Sequence, residues 1–103
     1  MDPATTDERP PRAVERAAFR VAQLAVENVV RHAGATRVVL GVLTSAGAVR
    51  VVVTDDGRGF DPAAPTTGFG LADMRLQAAE AGARVEVGAV DGGGTRVTFG
   101  WPR

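Results

Sequence analysis

A short run of acidic and glycine residues lies directly after a valine-rich segment. Asp55 and Asp56 follow three valines and a threonine, and Gly57 and Gly59 come next. A carboxylate fixed at the end of a strand can accept a hydrogen bond from an exocyclic amine, and glycines let the backbone approach a flat ring. Aspartate and glycine are also typical of an ordinary turn. Taken alone, this run predicts either a turn or a site for an amino-bearing ring.

A second candidate group surrounds Phe69, which has Gly68 before it and Gly70 after it. A helix is predicted to begin at Leu71, so free backbone amides at its N-terminus could bind phosphate oxygens. A flexible entry loop is the alternative, and Asp73 in the first turn would place a negative charge near any phosphate. This segment alone is weak evidence for a phosphate site.

A third candidate, Asn28, lies on the polar side of a predicted first helix. Asparagine is a poor helix former, and its side-chain carbonyl can supply one oxygen to Mg²⁺ while phosphates and waters supply the rest. Arg20, Glu27 and Arg31 share this side, where a solvated helix face explains them. His32, the only histidine, is interpreted as a helix-end residue that bonds a late carbonyl.

These groups need a scaffold, and the hydrophobic pattern predicts two helices and four strands. The elements are a helix from Val14 to His32 ended by Gly34, strands in residues 35–44 and 49–54, a helix after Gly70 capped by Gly82, and a hairpin of residues 84–90 and 95–101. The core-facing stripe of the first helix is predicted as Phe19, Ala22, Val26, Val29, Val30 and Ala33. For the second helix it is Leu71, Met74, Ala78 and Ala81. This order predicts an α+β fold, a two-layer α/β sandwich with helices on one face of a mainly antiparallel sheet.

The composition limits the possible functions of the chain. Its 103 residues suit one domain, and we expect residues 1–11, which are polar and proline-rich, to be a linker or disordered tail before a domain of residues 12–103. A formal net charge of zero argues against nucleic acid or an acidic membrane surface as partner. The absence of cysteine excludes thiolate zinc sites and cysteine nucleophiles and fits a cytoplasmic location. No apolar run approaches the roughly 20 residues that span a bilayer, so no direct membrane contact is expected.

Together, in this order and spacing, the motifs resemble the catalytic ATP-binding domain of bacterial sensor histidine kinases. The subgroup they resemble has short ATP lids, and its parents sense nitrate or membrane fluidity. The resemblance runs from AAFRVAQLAVENVVRHAGATRV to GGGTRVTF, and it implies a Bergerat-type ATP-binding fold with ATP and Mg²⁺ as cofactors. The implied roles are magnesium ligand for Asn28, phosphate contact for Arg31, adenine-amine acceptor for Asp55, adenine loop for Gly57 and Gly59, phosphate segment for Gly68, Gly70 and Leu71, and adenine contact for Thr95. Residues 61–67 would be the short lid.

One position departs from the family pattern. The family usually carries a glutamate four residues before the asparagine, where it can polarise the attacking histidine or a water. Here that residue is Leu24, and Glu27 lies about 100° around the helix from Asn28. No catalytic residue is therefore assigned, and we expect nucleotide binding to be better preserved than catalysis.

The resemblance also implies partners. The γ-phosphoryl of ATP would pass to a histidine on a dimerisation domain of the same or a partner polypeptide, with a response regulator downstream and a cytoplasmic domain in a parent that can be membrane-anchored. No helix that carries such a histidine precedes Pro10, so we expect either an excised domain or a split kinase. Two alternatives stay open. They are a degenerate domain that binds nucleotide as a regulatory ligand and an anti-sigma-factor serine kinase.

Overall fold

A computed structural model describes residues 9–30, 37–57 and 71–103. Its elements are α1 (Arg12–Asn28), β1 (Val38–Ser45), β2 (Ala48–Asp55), α2 (Leu71–Glu80), β3 (Arg84–Ala89) and β4 (Thr95–Trp101). The strands form one antiparallel sheet in the order β1-β2-β4-β3, and the two helices pack against it and against each other. The predicted α+β class and element order are confirmed.

Helix α1 begins at a proline pair. Pro11 has extended backbone, and its carbonyl oxygen accepts hydrogen bonds from the N–H groups of Val14 (2.9 Å) and Glu15 (3.2 Å). A proline is tolerated here because the first N–H groups of a helix have no intrahelical partner. The helix therefore starts at Arg12, two residues before the predicted start. The predicted end, at His32 and Gly34, lies outside the described residues.

The buried face of α1 differs from the predicted stripe. The buried residues are Val14, Ala17, Ala18, Val21, Leu24 and Ala25. Phe19 is 71% exposed and Val30 is exposed as well, whereas Val29 is buried. Apolar residues occupy two sides of this helix, so periodicity alone left two candidate faces. The side rich in alanine and valine faces the sheet and α2, since small side chains let the elements approach closely.

The first hairpin has the predicted antiparallel pairing. Ala46 and Gly47, with φ of 51° and 82°, form its two-residue turn. Positive φ at both central residues is typical of the turn that matches the twist of paired strands. Residues then alternate along β2, and Val49, Val51, Val53 and Asp55 are the buried set. Asp55 therefore lies on the face that the helices cover.

The second helix ends as predicted. Gly82 has a φ of 76°, the N–H of Ala83 donates to the carbonyl of Ala78 (2.8 Å), and the N–H of Gly82 donates to that of Ala79 (3.1 Å). This pair of bonds is the Schellman arrangement, which favours glycine because the residue after the helix is left-handed. Met74 and Ala78 are fully buried and anchor α2 to the core. Neither described helix is long and apolar enough to cross a membrane.

Candidate functional site

Asp55 is the last residue of β2 and a buried charged side chain. It is 7% exposed, and its Oδ1 accepts a hydrogen bond from the backbone N–H of Gly57 at 2.8 Å. This bond is the turn-type contact that the sequence allowed for. However, an ordinary surface turn leaves its aspartate in water, because burying a carboxylate is costly unless polar groups compensate. A carboxylate can accept several hydrogen bonds, so Asp55 retains acceptor capacity for a ligand.

The neighbouring aspartate has a different role. Asp56 is exposed, and its Oδ1 accepts a hydrogen bond from the backbone N–H of Arg37 at 2.9 Å. Its own N–H donates to the carbonyl oxygen of Arg37 at 3.3 Å. Asp56 thus extends the pairing of β1 with β2 by one residue. Of the two adjacent carboxylates, only that of Asp55 faces the helices.

Thr95 begins β4 and is the second buried polar residue of this region. Thr54 pairs with Arg96 at the end of the β2–β4 ladder, so the same register brings Thr95 beside Asp55. Thr95 is 4% exposed and lies on the helix-facing side of the sheet. The structure therefore brings together two predicted site residues that lie 40 positions apart in the sequence.

The turn between β3 and β4 lies against the same segment. Its three glycines, Gly92, Gly93 and Gly94, all have positive φ. A Cβ atom on Gly94 would collide with the carbonyl oxygen of Asp55, and one on Gly93 would lie 3.7 Å from the carbonyl oxygen of Gly57. In the sequence these glycines were predicted to connect the second hairpin and were part of the GGGT motif that ends the resemblance, but no role at the site was predicted for them. Three consecutive glycines directly before a predicted site residue were the available signal.

Asn28 is the last residue of α1, and the nitrogen of its side-chain amide lacks a hydrogen-bond partner in the described residues. This Nδ2 atom is buried. Leaving a buried polar group unpaired costs about 1–3 kcal/mol. The oxygen and nitrogen of an amide have nearly the same shape, so rotation of the group would place Oδ1 at this position. An amide oxygen is a suitable Mg²⁺ ligand, and Asn28 therefore fits the predicted role.

Leu24 lies one helical turn before Asn28 and is part of the hydrophobic core. It packs with the other buried residues of α1, and Glu27 is exposed. No carboxylate stands one turn before Asn28 in this helix. The core location explains why an apolar side chain is stable at this position.

The remaining predicted site residues divide into two groups. Gly57 is buried and donates the hydrogen bond to Asp55, and Leu71 begins α2 in a half-buried position. Arg31, Gly59, Gly68 and Gly70, together with the predicted lid of residues 61–67, lie outside the described residues. Among the residues that are described, no group of three or more histidine, aspartate or glutamate side chains is placed to hold a metal ion.

The sequence matches one protein family. Residues 13–103 match the family described as histidine kinase-, DNA gyrase B- and HSP90-like ATPase. The match covers nearly the whole chain, and the chain belongs to this family of ATPase domains.

Individual relatives indicate the branch of the family. The chain is 37% identical over 89 residues to the sensor histidine kinase LiaS of Bacillus subtilis, which covers 84% of this chain and 24% of LiaS. It is 34% identical over 85 residues to the signal transduction histidine-protein kinase/phosphatase UhpB of Salmonella typhimurium, covering 82% of this chain and 17% of UhpB.

A solved structure agrees with these sequence relatives. The blue-light activated histidine kinase of Erythrobacter litoralis superposes with a TM-score of 0.73 at 26% identity. The similarity covers 90% of this chain and 31% of that chain. The resemblance to the ATPase domain of sensor histidine kinases is confirmed, whereas the short-lid subgroup stays a prediction. The chain spans about a quarter or less of the two sequence relatives.

Proposed function

We propose that residues 12–103 are the ATP-binding domain of a sensor histidine kinase that holds Mg-ATP and donates its γ-phosphoryl to a histidine on a separate dimerisation domain. A response regulator would receive the phosphoryl group next, in the cytoplasm. Residues 1–11 would serve as a linker. The observation that carries the proposal is the buried carboxylate of Asp55, which is oriented by Gly57 and lies beside buried Thr95.

Recognition of the base follows from the chemistry of this carboxylate. Asp55 would accept a hydrogen bond from the exocyclic amine of adenine, while Gly57 and Gly59 let the backbone approach the ring. Guanine carries a carbonyl oxygen at the corresponding position, which would face the carboxylate without a proton between them. A buried site designed to receive a donor strongly rejects a ligand that lacks it.

The phosphates would lie toward the ends of the two helices. Asn28 would give one oxygen to Mg²⁺, and Arg31, Gly68, Gly70 and Leu71 would contact the phosphates at the start of α2. Bound Mg²⁺ would neutralise the negative charge that opposes phosphoryl transfer. The unpaired amide of Asn28 supports its part in this arrangement.

A second candidate function is supported by Leu24. Its side chain is a hydrocarbon that packs in the core, and a hydrocarbon cannot accept a proton from an attacking histidine or water. The domain would then bind nucleotide as a regulatory ligand without transferring phosphate. An anti-sigma-factor serine kinase receives no such support, because the two relatives described above are sensor kinases.

The binding proposal is tested by Asp55→Asn, with Asp56→Asn as the matched control. The first change replaces one carboxylate oxygen with a donor that opposes the adenine amine. Hydrogen bonds to charged groups contribute about 1.5–3 kcal/mol, so we expect ATP affinity to fall about 10- to 100-fold in calorimetry. Asp56→Asn should leave it within about 2-fold, because Asp56 is exposed and bonds the backbone of Arg37. Unchanged ATP affinity in Asp55→Asn would refute the assignment, and a wild-type domain that binds no ATP would refute the function.

The two candidate functions separate in a transfer assay. The wild-type domain is mixed with its phosphoacceptor domain and labelled ATP, and acid-labile phosphohistidine is measured. Label on the histidine supports the kinase. A domain that binds ATP but leaves the histidine unlabelled is a nucleotide-binding regulator.

A further inference from the structure

We infer that Gly94 is a positioning residue of the nucleotide site, and that the β3–β4 turn sets where the Asp55 carboxylate stands. The inference rests on the proposed function, because it assigns to Gly94 the support of a side chain in the same pocket. It adds a residue that neither lies in the acidic run nor needs to touch the nucleotide. The link is long-range, since Gly94 and Asp55 belong to different hairpins.

Gly94 has no space for a side chain. This glycine is buried, and a Cβ atom built on it would collide with the Asp55 carbonyl oxygen. The same Cβ would lie 2.9 Å from the carbonyl carbon of Asp55 and 3.1 Å from the Cα of Asp56. These neighbours are all backbone atoms, so no side-chain rotation could relieve the contact. Any other residue at position 94 must displace the end of β2.

A displacement of the end of β2 would also reach the carboxylate of Asp55. The side chain of Asp55 is held by one described hydrogen bond, from the N–H of Gly57 two residues later. A Cβ atom added to Gly93 would lie 3.7 Å from the carbonyl oxygen of Gly57. The glycine turn therefore lies against both ends of the Asp55–Gly57 turn. A shift of the Asp55 backbone would move the carboxylate and disturb the bond that orients it.

The glycine turn is itself held in place by backbone hydrogen bonds. The N–H of Gly93 donates to the carbonyl of Val90 at 2.9 Å, and the N–H of Val90 donates to the carbonyl of Gly94 at 3.2 Å. These bonds fix the turn to the β3–β4 hairpin. The hairpin thus provides a fixed surface against which Asp55 rests, and a site needs such support to hold its geometry to within a fraction of an ångström.

Gly92 provides a matched control. Its φ of 88° is also in the region that favours glycine, so replacement by alanine strains the backbone there as well as at Gly94, where φ is 102°. Among the described residues, however, no atom lies within 4 Å of a Cβ on Gly92. The two alanine variants share the conformational strain, and only Gly94→Ala meets Asp55.

The test compares ATP and GTP affinities of Gly94→Ala and Gly92→Ala by calorimetry, at a temperature where circular dichroism shows both folded. We expect Gly94→Ala to lose at least about 10-fold in ATP affinity, equivalent to about 1.4 kcal/mol, and to lose much of its preference for ATP over GTP. Gly92→Ala should keep its ATP affinity and its preference for ATP over GTP within about 2-fold of the wild type, even where its melting temperature falls. A purely structural role would lower stability in both variants and leave the ATP/GTP ratio unchanged, and that result would overturn the inference.

A second pair decides the matter if Gly94→Ala does not fold. Asparagine tolerates positive φ better than most other residues, so Gly93→Asn and Gly92→Asn add the same side chain with less strain than most replacements would cause. Only the former extends toward the Gly57 carbonyl. We expect at least about a 3-fold greater loss of ATP affinity in Gly93→Asn, and equal affinities would refute the inference. Because wild type and Asp55→Asn are measured alongside, failure of the positioning role is distinguishable from failure of ATP binding itself.

Discussion

Strands β1 and β4 flank the same strand and are both rich in apolar residues, yet their environments differ. In β4, Val97 and Phe99 are buried and alternate with more exposed residues. In β1, apolar residues on both faces are exposed, among them Val39, Leu40 and Leu43. The helices pack over β2, β4 and β3 and leave β1 largely uncovered in the described residues. Burial in this sheet therefore depends on where the helices lie and not on the apolar character of a strand.

The comparison also explains where the site is built. Asp55 and Thr95 lie at the ends of β2 and β4, the two central strands of the sheet. A carboxylate and a hydroxyl keep a defined position there because buried neighbours on both strands hold the backbone. β1 could not provide this support, although it also pairs with β2.

The largest expected effect comes from the packed side of the comparison. Phe99 is fully buried at the centre of β4. Phe99→Ala would remove its contacts and leave a cavity, and we expect the free energy of unfolding to fall by about 3–5 kcal/mol in urea titrations. A loss below about 1 kcal/mol would contradict a core centred on β4.

A smaller loss is expected where α1 covers the sheet. Leu24→Glu would bury a carboxylate, and we expect a loss of about 2–4 kcal/mol at neutral pH, against less than about 1.5 kcal/mol for the volume-conserving control Leu24→Met. Burial raises the pKa of the new carboxyl above its ordinary value. The folded state then binds protons more readily than the unfolded state, so the loss should shrink as the pH falls toward about 4.3.

The pH dependence is measured by urea unfolding at several pH values. If Leu24→Glu were as stable as the wild type at neutral pH, the new glutamate side chain would have to reach solvent or the nucleotide site. That outcome would reopen a catalytic role for the position.

The smallest effect is expected on β1, and it provides the sharpest form of the comparison. Val42 and Val51 are directly paired across β1 and β2, but Val42 is 61% exposed and Val51 is 6% exposed. Replacement by threonine keeps the β-branched shape and adds a hydroxyl. We expect Val51→Thr to cost about 1–3 kcal/mol and Val42→Thr to remain within about 0.5 kcal/mol, measured by thermal and urea unfolding. Equal costs for the two variants would show that β1 is covered.

Local patterns in the sequence predicted much of the fold. The cap at Gly82 and the position of the first hairpin turn have local causes, because each depends on the backbone conformation of a few neighbouring residues, although the turn is shorter than predicted. The hairpins and the order of elements were predicted for the same reason.

Features that depend on distant contacts were not predicted. Phe19 and Val30 were wrongly assigned to the buried face of α1, because both sides of the helix carry apolar residues and only the positions of the sheet and α2 select one of them. The contact of Gly94 with Asp55 joins two hairpins, so no local pattern indicates it. Asp55 and Thr95 were identified through the motif order, while their proximity came from the pairing of β2 with β4.

The turn at Ala46 and Gly47 has a consequence for the opposite end of the hairpin. Successive residues of a strand face opposite sides, so a slip of one residue exchanges the faces of the whole strand. The two-residue turn sets the register that pairs Val38 with Asp55. One inserted residue in that turn would change the register of β1, because β2 is held by its pairing with β4 and by its buried face. The length of the turn therefore decides which residue of β1, the strand that is exposed on both faces, lies opposite Asp55 at the far end of the hairpin.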